Sequence, residues 1–255
     1  MPDKVISYKF GKKAPKRSLR TLHFGNYGVA SKIPFPQKVA WERAEISSDA
    51  LGNMEYGDCA EAAPARAIMN MTMVANWTKP TVIVTAQVLK AYADITGFDP
   101  AKPETDAGTN MLDVCSYMKY TGIADFTFDG YVQLDTQNID QIRAAIWTFG
   151  WVYAGMNVPT KLIASLNRGT VPDVWRFDEL GADVSGEGHA IGMFGYGRYG
   201  MGFNSWGQWL HMDNDFWLNN VDEAYAFVSK AWLKQSGVSP SGFDYQGLLN
   251  DLQLV

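Results

Sequence analysis

A cysteine, a histidine and an asparagine of this chain have the side chains that nucleophilic catalysis needs. Cys59 stands before an alanine-rich stretch, and His189 and Asn204 follow far downstream in that order. A thiolate is a strong nucleophile, and both a helix N-terminus and a neighbouring imidazolium lower the pKa of a thiol. The histidine can then protonate a leaving group, while a third polar side chain fixes the orientation of its ring. These residue types predict covalent catalysis by a thiol.

Three further residues are expected to complete such a site. The oxyanion that forms on a carbonyl needs hydrogen-bond donors, and we predict the backbone N–H of Cys59 and the side-chain amide of Asn53 for this role. Asp58 could tune the thiolate or cap the helix, and a helix cap is the role predicted here. Trp206 is expected to cover the third catalytic residue or to fill the space between two lobes.

Several segments resemble motifs of the papain-like cysteine peptidases: Asn204-Ser205-Trp206-Gly207, His189-Ala190-Ile191 and Gly195-Tyr196-Gly197. The resemblance covers roughly residues 33 to 235. It implies an α+β, papain-like two-lobe fold, in which a helical lobe is followed by an antiparallel β-sheet lobe with the cleft between them. It also implies that Cys59, His189 and Asn204 are the catalytic residues, and that Asn53 stands where the family has its oxyanion-hole glutamine. The whole chain looks most similar to phage and prophage papain-like proteins, a likeness that names no substrate.

The sequence also departs from the family pattern near the nucleophile. Ala60 and Glu61 follow Cys59 where small residues and a tryptophan are usual, and Pro64 removes an N–H from the second turn of the expected helix. Two classes of function therefore stay open. The first is a cysteine hydrolase that cleaves peptide or isopeptide bonds through a thioester. The second is a papain-fold structural or accessory protein, virion-associated in a phage, with little or no catalysis; a cell-wall amidase is a weaker third reading.

Composition limits the setting of the protein. A chain of 255 residues with 47% hydrophobic content can form one large globular unit or two lobes. It has no apolar run long enough to span a membrane and no apolar signal-peptide core, so a cytoplasmic location or incorporation into a phage virion is expected. The second cysteine, Cys115, is predicted to pack in the core, so no disulfide is expected. No cofactor and no metal are expected either, because the loop acids lack compact ligand spacing.

Positive charge is concentrated near the N-terminus. Residues 1–43 hold ten lysines and arginines against Asp3 and Glu42, whereas the whole chain has a net charge of −5. This basic arm could dock on an acidic protein, on nucleic acid or on the chain's own acidic body, or it could be a solvated leader. A short pro-segment that crosses the cleft is another reading. The other expected partners are a peptide or protein substrate for the hydrolase, and a virion or homo-oligomeric assembly for the accessory protein.

The order of elements predicts a basic arm at 1–33 and a papain-like domain at 34–255. The domain divides into a helical lobe at about 50–125, a β-rich lobe at about 126–235 and a C-terminal capping segment at 236–255. Helices are predicted over 61–76, 81–96, 109–121, 136–149, 222–228 and 243–254, and strands over 126–132, 151–158, 188–195, 199–205 and 216–218. Residues 159–187 are predicted to be irregular.

Overall fold

The computed structural model of the chain describes residues 8–18, 21–26, 34–46, 48–233 and 239–241. Within this part, three helices come first and most of the strands follow, which confirms the predicted α+β class. The predicted helix over 243–254 lies outside the described residues. Among the helices that are described, none is long and apolar enough to cross a membrane.

Seven α-helices occur in the described residues. They are α1 (Cys59–Val74), α2 (Thr85–Thr96), α3 (Met111–Tyr120), α4 (Ile139–Phe149), α5 (Thr160–Leu166), α6 (Phe177–Leu180) and α7 (Asn214–Asn220). Three short 3₁₀ helices lie at Phe24–Asn26, Pro103–Thr105 and Lys230–Trp232. Side-chain caps fix several of these starts: Asn110 begins α3 and Asn138 begins α4, each accepting a backbone N–H of the first turn.

The strands form one sheet around two long central members. They are β1 (Val39–Ala40), β2 (Gly130–Gln133), β3 (Val152–Pro159), β4 (Val174–Trp175), β5 (Val184–Tyr196), β6 (Gly200–Ser205), β7 (Gln208–Asp213) and β8 (Val221–Val228). The strand order is β2-β8-β3-β5-β6-β7-β4, with β1 paired to β5. All pairs are antiparallel except β4 with β7. Since α1 packs against β5, the helix that begins with Cys59 and the strand that contains His189 are neighbours.

Two predicted elements have the wrong type. Residues 216–218 form part of helix α7, because the Asp213 side chain accepts the Phe216 N–H at 2.6 Å and caps a helix there. Residues 222–228, predicted as a helix, lie in strand β8 between β2 and β3, where pairing on both edges overrides the helical propensity of Glu and Ala. The irregular stretch 159–187 contains α5, β4, α6 and the start of β5, and the sequence analysis missed strand β7.

Helix α1 accommodates Pro64 with the help of a tyrosine in the sheet. Proline has no N–H, so the carbonyl of Ala60, one turn earlier, lacks its helical donor. The hydroxyl of Tyr153 in β3 donates a buried hydrogen bond to this carbonyl at 2.7 Å. The helix can therefore run unbroken from Cys59 to Val74, and the same bond ties the nucleophile's helix to the sheet.

We expect Tyr153→Phe to lower the free energy of unfolding by about 1–3 kcal/mol, because it leaves the buried Ala60 carbonyl without a partner. Urea denaturation followed by circular dichroism measures this change. Tyr120→Phe is the matched control, since Tyr120 is 76% exposed, and its effect should stay below about 0.5 kcal/mol. Equal effects of the two substitutions would show that Pro64 is accommodated in another way.

Candidate active site

Cys59 is the first residue of α1, so its thiol lies at the positive end of the helix dipole. The residue before it, Asp58, holds the N-cap position, and its backbone carbonyl accepts the N–H of Ala62 at 2.9 Å. Its side chain, however, makes no cap hydrogen bond, so the prediction of a carboxylate cap is wrong. The reason is the backbone: φ −95° and ψ 19° lie outside the extended region from which a cap side chain reaches the first turn.

His189 lies beside the nucleophile on strand β5. The backbone N–H of the next residue, Ala190, donates to the Cys59 sulfur at 3.4 Å. A hydrogen bond of 2.6 Å joins the His189 Nε2 to the Ser205 Oγ. The ring stacks on Trp206, with centroids 4.5 Å apart and planes at 15°. Among the described residues none hydrogen-bonds the buried Nδ1 of His189.

The third predicted catalytic residue is Asn204. Its neighbour in the chain, Ser205, is the residue that hydrogen-bonds the His189 ring. Asn204 lies in β6 opposite Gly192, and with Cys59, Asn53 and Ser205 it lines a cavity of about 20 Å³. The catalytic role of Asn204 stays a prediction. Ser205 was missed by the sequence analysis although it stands in the same Asn-Ser-Trp-Gly motif.

Trp206 is oriented by the tight turn that joins β6 to β7. Both Trp206 (φ 49°) and Gly207 (φ 75°) adopt left-handed backbone, as the two central residues of a type I′ hairpin turn do. A Cβ on Gly207 would collide with the Ser48 carbonyl, so glycine is required there. This turn places the indole against the His189 ring, and its predicted role in covering Asn204 remains a prediction.

The N-terminal arm runs through the site. We use "arm segment" for residues 8–17, all of which are described. The Lys9 carbonyl accepts hydrogen bonds from the Trp206 indole N–H at 3.3 Å and from the Asn53 side-chain amide at 3.5 Å. The Phe10 ring contacts the His189 ring edge-on, at 5.6 Å between centroids. The amide predicted to bind an oxyanion is thus directed at a carbonyl oxygen of the arm segment, and it also donates to the Tyr56 carbonyl at 3.1 Å.

Gly11 passes closest to the nucleophile. Its backbone N–H faces the thiol of Cys59. A Cβ at this position would collide with the Gly57 carbonyl, so a larger residue cannot take the same path. The Gly11 carbonyl accepts the N–H of Thr109 at 2.7 Å.

The following residues of the arm segment pair with both walls of the cleft. Lys12 donates its backbone N–H to Gly188 at 3.0 Å, and Lys13 donates to Thr109 at 2.9 Å. Two lysine side chains reach acids of the same chain: Lys12 pairs with Asp222 and Glu223, and Lys16 pairs with Asp113. Of the partners predicted for the basic arm, its own acidic body is therefore the one that this segment contacts.

Burial keeps the thiol and the imidazole uncharged. Burial raises the pKa of Cys59 to about 12, an effect that the N–H of Ala190 partly opposes and the nearby carboxyls of Glu61 and Asp58 reinforce. Burial also lowers the pKa of His189 to about 3. At neutral pH a thiol therefore faces a neutral ring, and the thiolate–imidazolium pair is not formed. The cavity of about 20 Å³ beside Cys59 has room for about one water molecule.

The described residues contain no group of three or more His, Cys, Asp or Glu side chains that could hold a metal ion. The chemistry that the site offers is that of the thiol, the imidazole and the hydrogen-bond donors around them.

Solved structures of cysteine proteases have a similar fold. Xylellain, a cysteine protease from Xylella fastidiosa, matches with a TM-score of 0.68 at 14% identity, over 89% of this chain and 98% of the other. Digestive procathepsin L 3 of Tenebrio molitor larval midgut matches at 0.57 and 15%, over 88% and 76%. ProCathepsin B S9 from Trypanosoma congolense matches at 0.56 and 13%, over 86% of each chain. No family model and no curated protein matches the chain.

At these identities the likeness concerns the fold. The chain has the papain-like α+β fold that the sequence predicts, with its cysteine at the start of the first long helix and its histidine in the sheet.

Glu61 should make the stability of the protein depend on pH. Burial raises the pKa of its carboxyl from 4.5 to about 8, so the folded chain holds a proton that the unfolded chain releases between these values. The free energy of unfolding contributed by this group is therefore present at low pH and lost as the pH rises from about 4.5 to about 8.

We expect Glu61→Gln to be more stable than the parent at pH 8, by on the order of 2–4 kcal/mol, and nearly equal to it at pH 4.5. Urea unfolding of the parent and the variant at the two pH values measures the difference in their free energies of unfolding. His189 destabilises both proteins equally at low pH, so its effect cancels in this difference. The exposed Glu55→Gln is the control and should show no such trend. Equal stabilities of Glu61→Gln and the parent at pH 8 would contradict a raised pKa.

Proposed function

We propose that this protein is a cysteine peptidase-like hydrolase, held in a latent, proenzyme-like form by its own arm segment. One observation carries the proposal. The arm segment occupies the site around Cys59 and His189 and uses the contacts that a substrate would need: the amide of Asn53, the carbonyl of Gly188 and the backbone of Thr109. Two of the similar structures are proenzymes by name, which supports the same reading.

The arm segment lies in the cleft as an inhibitor. Nucleophilic attack needs a carbonyl carbon within about 3–3.5 Å of the sulfur, in line with the attacking orbital. Here an N–H, that of Gly11, faces the sulfur.

Withdrawal of the arm segment would allow catalysis by the residues already in place. Water then reaches Cys59 and His189, the pKa of the thiol falls, and the thiol proton passes to the ring. The thiolate adds to the substrate carbonyl, and the backbone N–H of Cys59 and the amide of Asn53 stabilise the oxyanion. The intermediate expels the amine, which takes the proton from His189, and leaves a thioester.

Hydrolysis of the thioester completes the cycle. His189 accepts a proton from water, the hydroxide adds to the thioester carbonyl, and collapse of this intermediate releases the carboxylic acid and restores the thiol. Ser205 and Trp206 hold the ring in place for both steps, and Asn204 is proposed as the third catalytic residue. Peptide bonds are the proposed substrate, with isopeptide bonds as an alternative that uses the same chemistry.

The second candidate is a papain-fold structural or accessory protein with little or no catalysis. The buried carboxyls of Asp58 and Glu61 favour it, because both raise the pKa of Cys59 and so oppose formation of the thiolate. The association with a phage virion belongs to this candidate and remains a prediction of the sequence.

The test compares the full chain with a variant whose arm segment cannot dock. Gly11→Ala with Lys12→Ala, here termed the released variant, combines a backbone collision with the loss of a buried ammonium. We expect it to cleave an unfolded polypeptide at least about 100-fold faster than the parent, as measured by mass spectrometry of new N-termini. Adding His189→Ala should lower the rate by about 10²–10⁴-fold, and adding Cys59→Ala should abolish cleavage.

Arg17→Ala is the control for charge, since it removes one exposed positive charge from the arm segment and should stay as latent as the parent. If the released variant cuts no faster than the same variant with Cys59→Ala, the hydrolase is ruled out and the structural role is favoured.

A further inference from the structure

The most buried charge of the arm segment is the ammonium of Lys12. The side chain of Lys12 is 1% exposed, and its Nζ lies 2.9 Å from both carboxylate oxygens of Asp222 and 3.4 Å from the Glu223 Oε1. A lysine is rarely buried to this degree unless it is paired. The cleft therefore contains a pocket that is built to hold a cation.

Residues of strands β3 and β8 form this pocket. Asp222 and Glu223 begin strand β8, and Glu223 lies opposite Gly155 of β3. A Cβ on Gly155 would collide with the Lys12 side chain and with Met111, so the missing side chain of Gly155 makes the room that the lysine fills. The Glu223 side chain is 0% exposed, and its other oxygen accepts the Tyr225 hydroxyl at 2.9 Å. The Tyr225 hydroxyl thus holds the Glu223 carboxylate through the oxygen that does not face Lys12.

The pocket lies next to the nucleophile, one residue along the bound chain. Gly11 passes Cys59, and Lys12, the next residue, enters the pocket while its backbone N–H binds the Gly188 carbonyl. These backbone contacts do not depend on the side chain, so any extended peptide could make them. The side chain at this one position is selected by the pocket.

We infer that Asp222 and Glu223 form a specificity pocket that selects a lysine or arginine side chain of the substrate, close to the bond that is cleaved. The inference rests on the proposed function. The arm segment inhibits by placing its own lysine in this pocket. An apolar side chain of the same length would leave two acids in a desolvated pocket without a partner, which binds far less well.

Peptide binding to the released variant tests the pocket without requiring turnover. Two labelled peptides with the sequence of residues 8–17 are compared by fluorescence anisotropy, one with lysine and one with norleucine at position 12. We expect the lysine peptide to bind at least about 30-fold more tightly, the usual scale for one fully buried charge pair. Asp222→Asn with Glu223→Gln should remove this preference, because the norleucine peptide no longer leaves buried carboxylates without a partner. If the released variant does not fold, the same binding measurements are made with the Lys12→Ala single variant.

Cleavage of a random peptide mixture by the same variants provides the second readout. Lysine and arginine should be enriched at a single position relative to the cleaved bond, and the Asp222→Asn and Glu223→Gln substitutions should abolish the enrichment. Equal binding of the two peptides, or a preference that survives these substitutions, would overturn the pocket. Preferential binding of the lysine peptide with no cleavage would refute the hydrolase but support the pocket. Cleavage without a preference for lysine or arginine would support the hydrolase but refute the pocket.

Discussion

Burial of Cys59 and His189, both of which the arm segment contacts, sets the charge state of the site. The same thiol that lies at a helix N-terminus, where a thiolate is favoured, has its pKa raised to about 12 by burial, and the ring beside it has its pKa lowered to about 3. Burial is the largest cause of both shifts, because it penalises the charged form of each group. Cys59 and His189 therefore lie side by side, but the thiol and the imidazole are both uncharged.

The fold holds the arm segment and helix α1 in place in two ways. Glycines allow close contacts with the arm segment, and a side-chain hydrogen bond replaces one that a proline cannot make. Gly11 lies against Gly57, and the side chain of Lys12 fits because Gly155 has none. Tyr153 supplies the hydrogen bond that Pro64 cannot make, which keeps α1 continuous behind the nucleophile. Each compensation comes from a residue distant in sequence, so the cleft depends on the complete sheet.

The class of fold could be predicted from sequence, and candidate site residues could be named, because these signals are local. The Asn-Ser-Trp-Gly motif, the histidine in an apolar strand and the cysteine before an alanine-rich helix each indicate their surroundings. Strand β8 was predicted as a helix, because its strand conformation is decided by pairing with β2 and β3 on its two edges. Helix α7 was predicted as a strand, because its start depends on a single cap from Asp213. The basic character of the arm was visible, but the burial of one particular lysine against Asp222 was not, since it depends on a contact between residues 210 positions apart.

The pH dependence of Cys59 alkylation tests the central claim most directly. Iodoacetamide labelling, with the modified cysteine identified by mass spectrometry, gives the apparent pKa of the thiol in the parent and in the released variant. We expect the parent to react appreciably only above about pH 10, and the released variant to titrate at least one pH unit lower. The same profile in both proteins, with a midpoint near the ordinary thiol value of about 8.5, would contradict it.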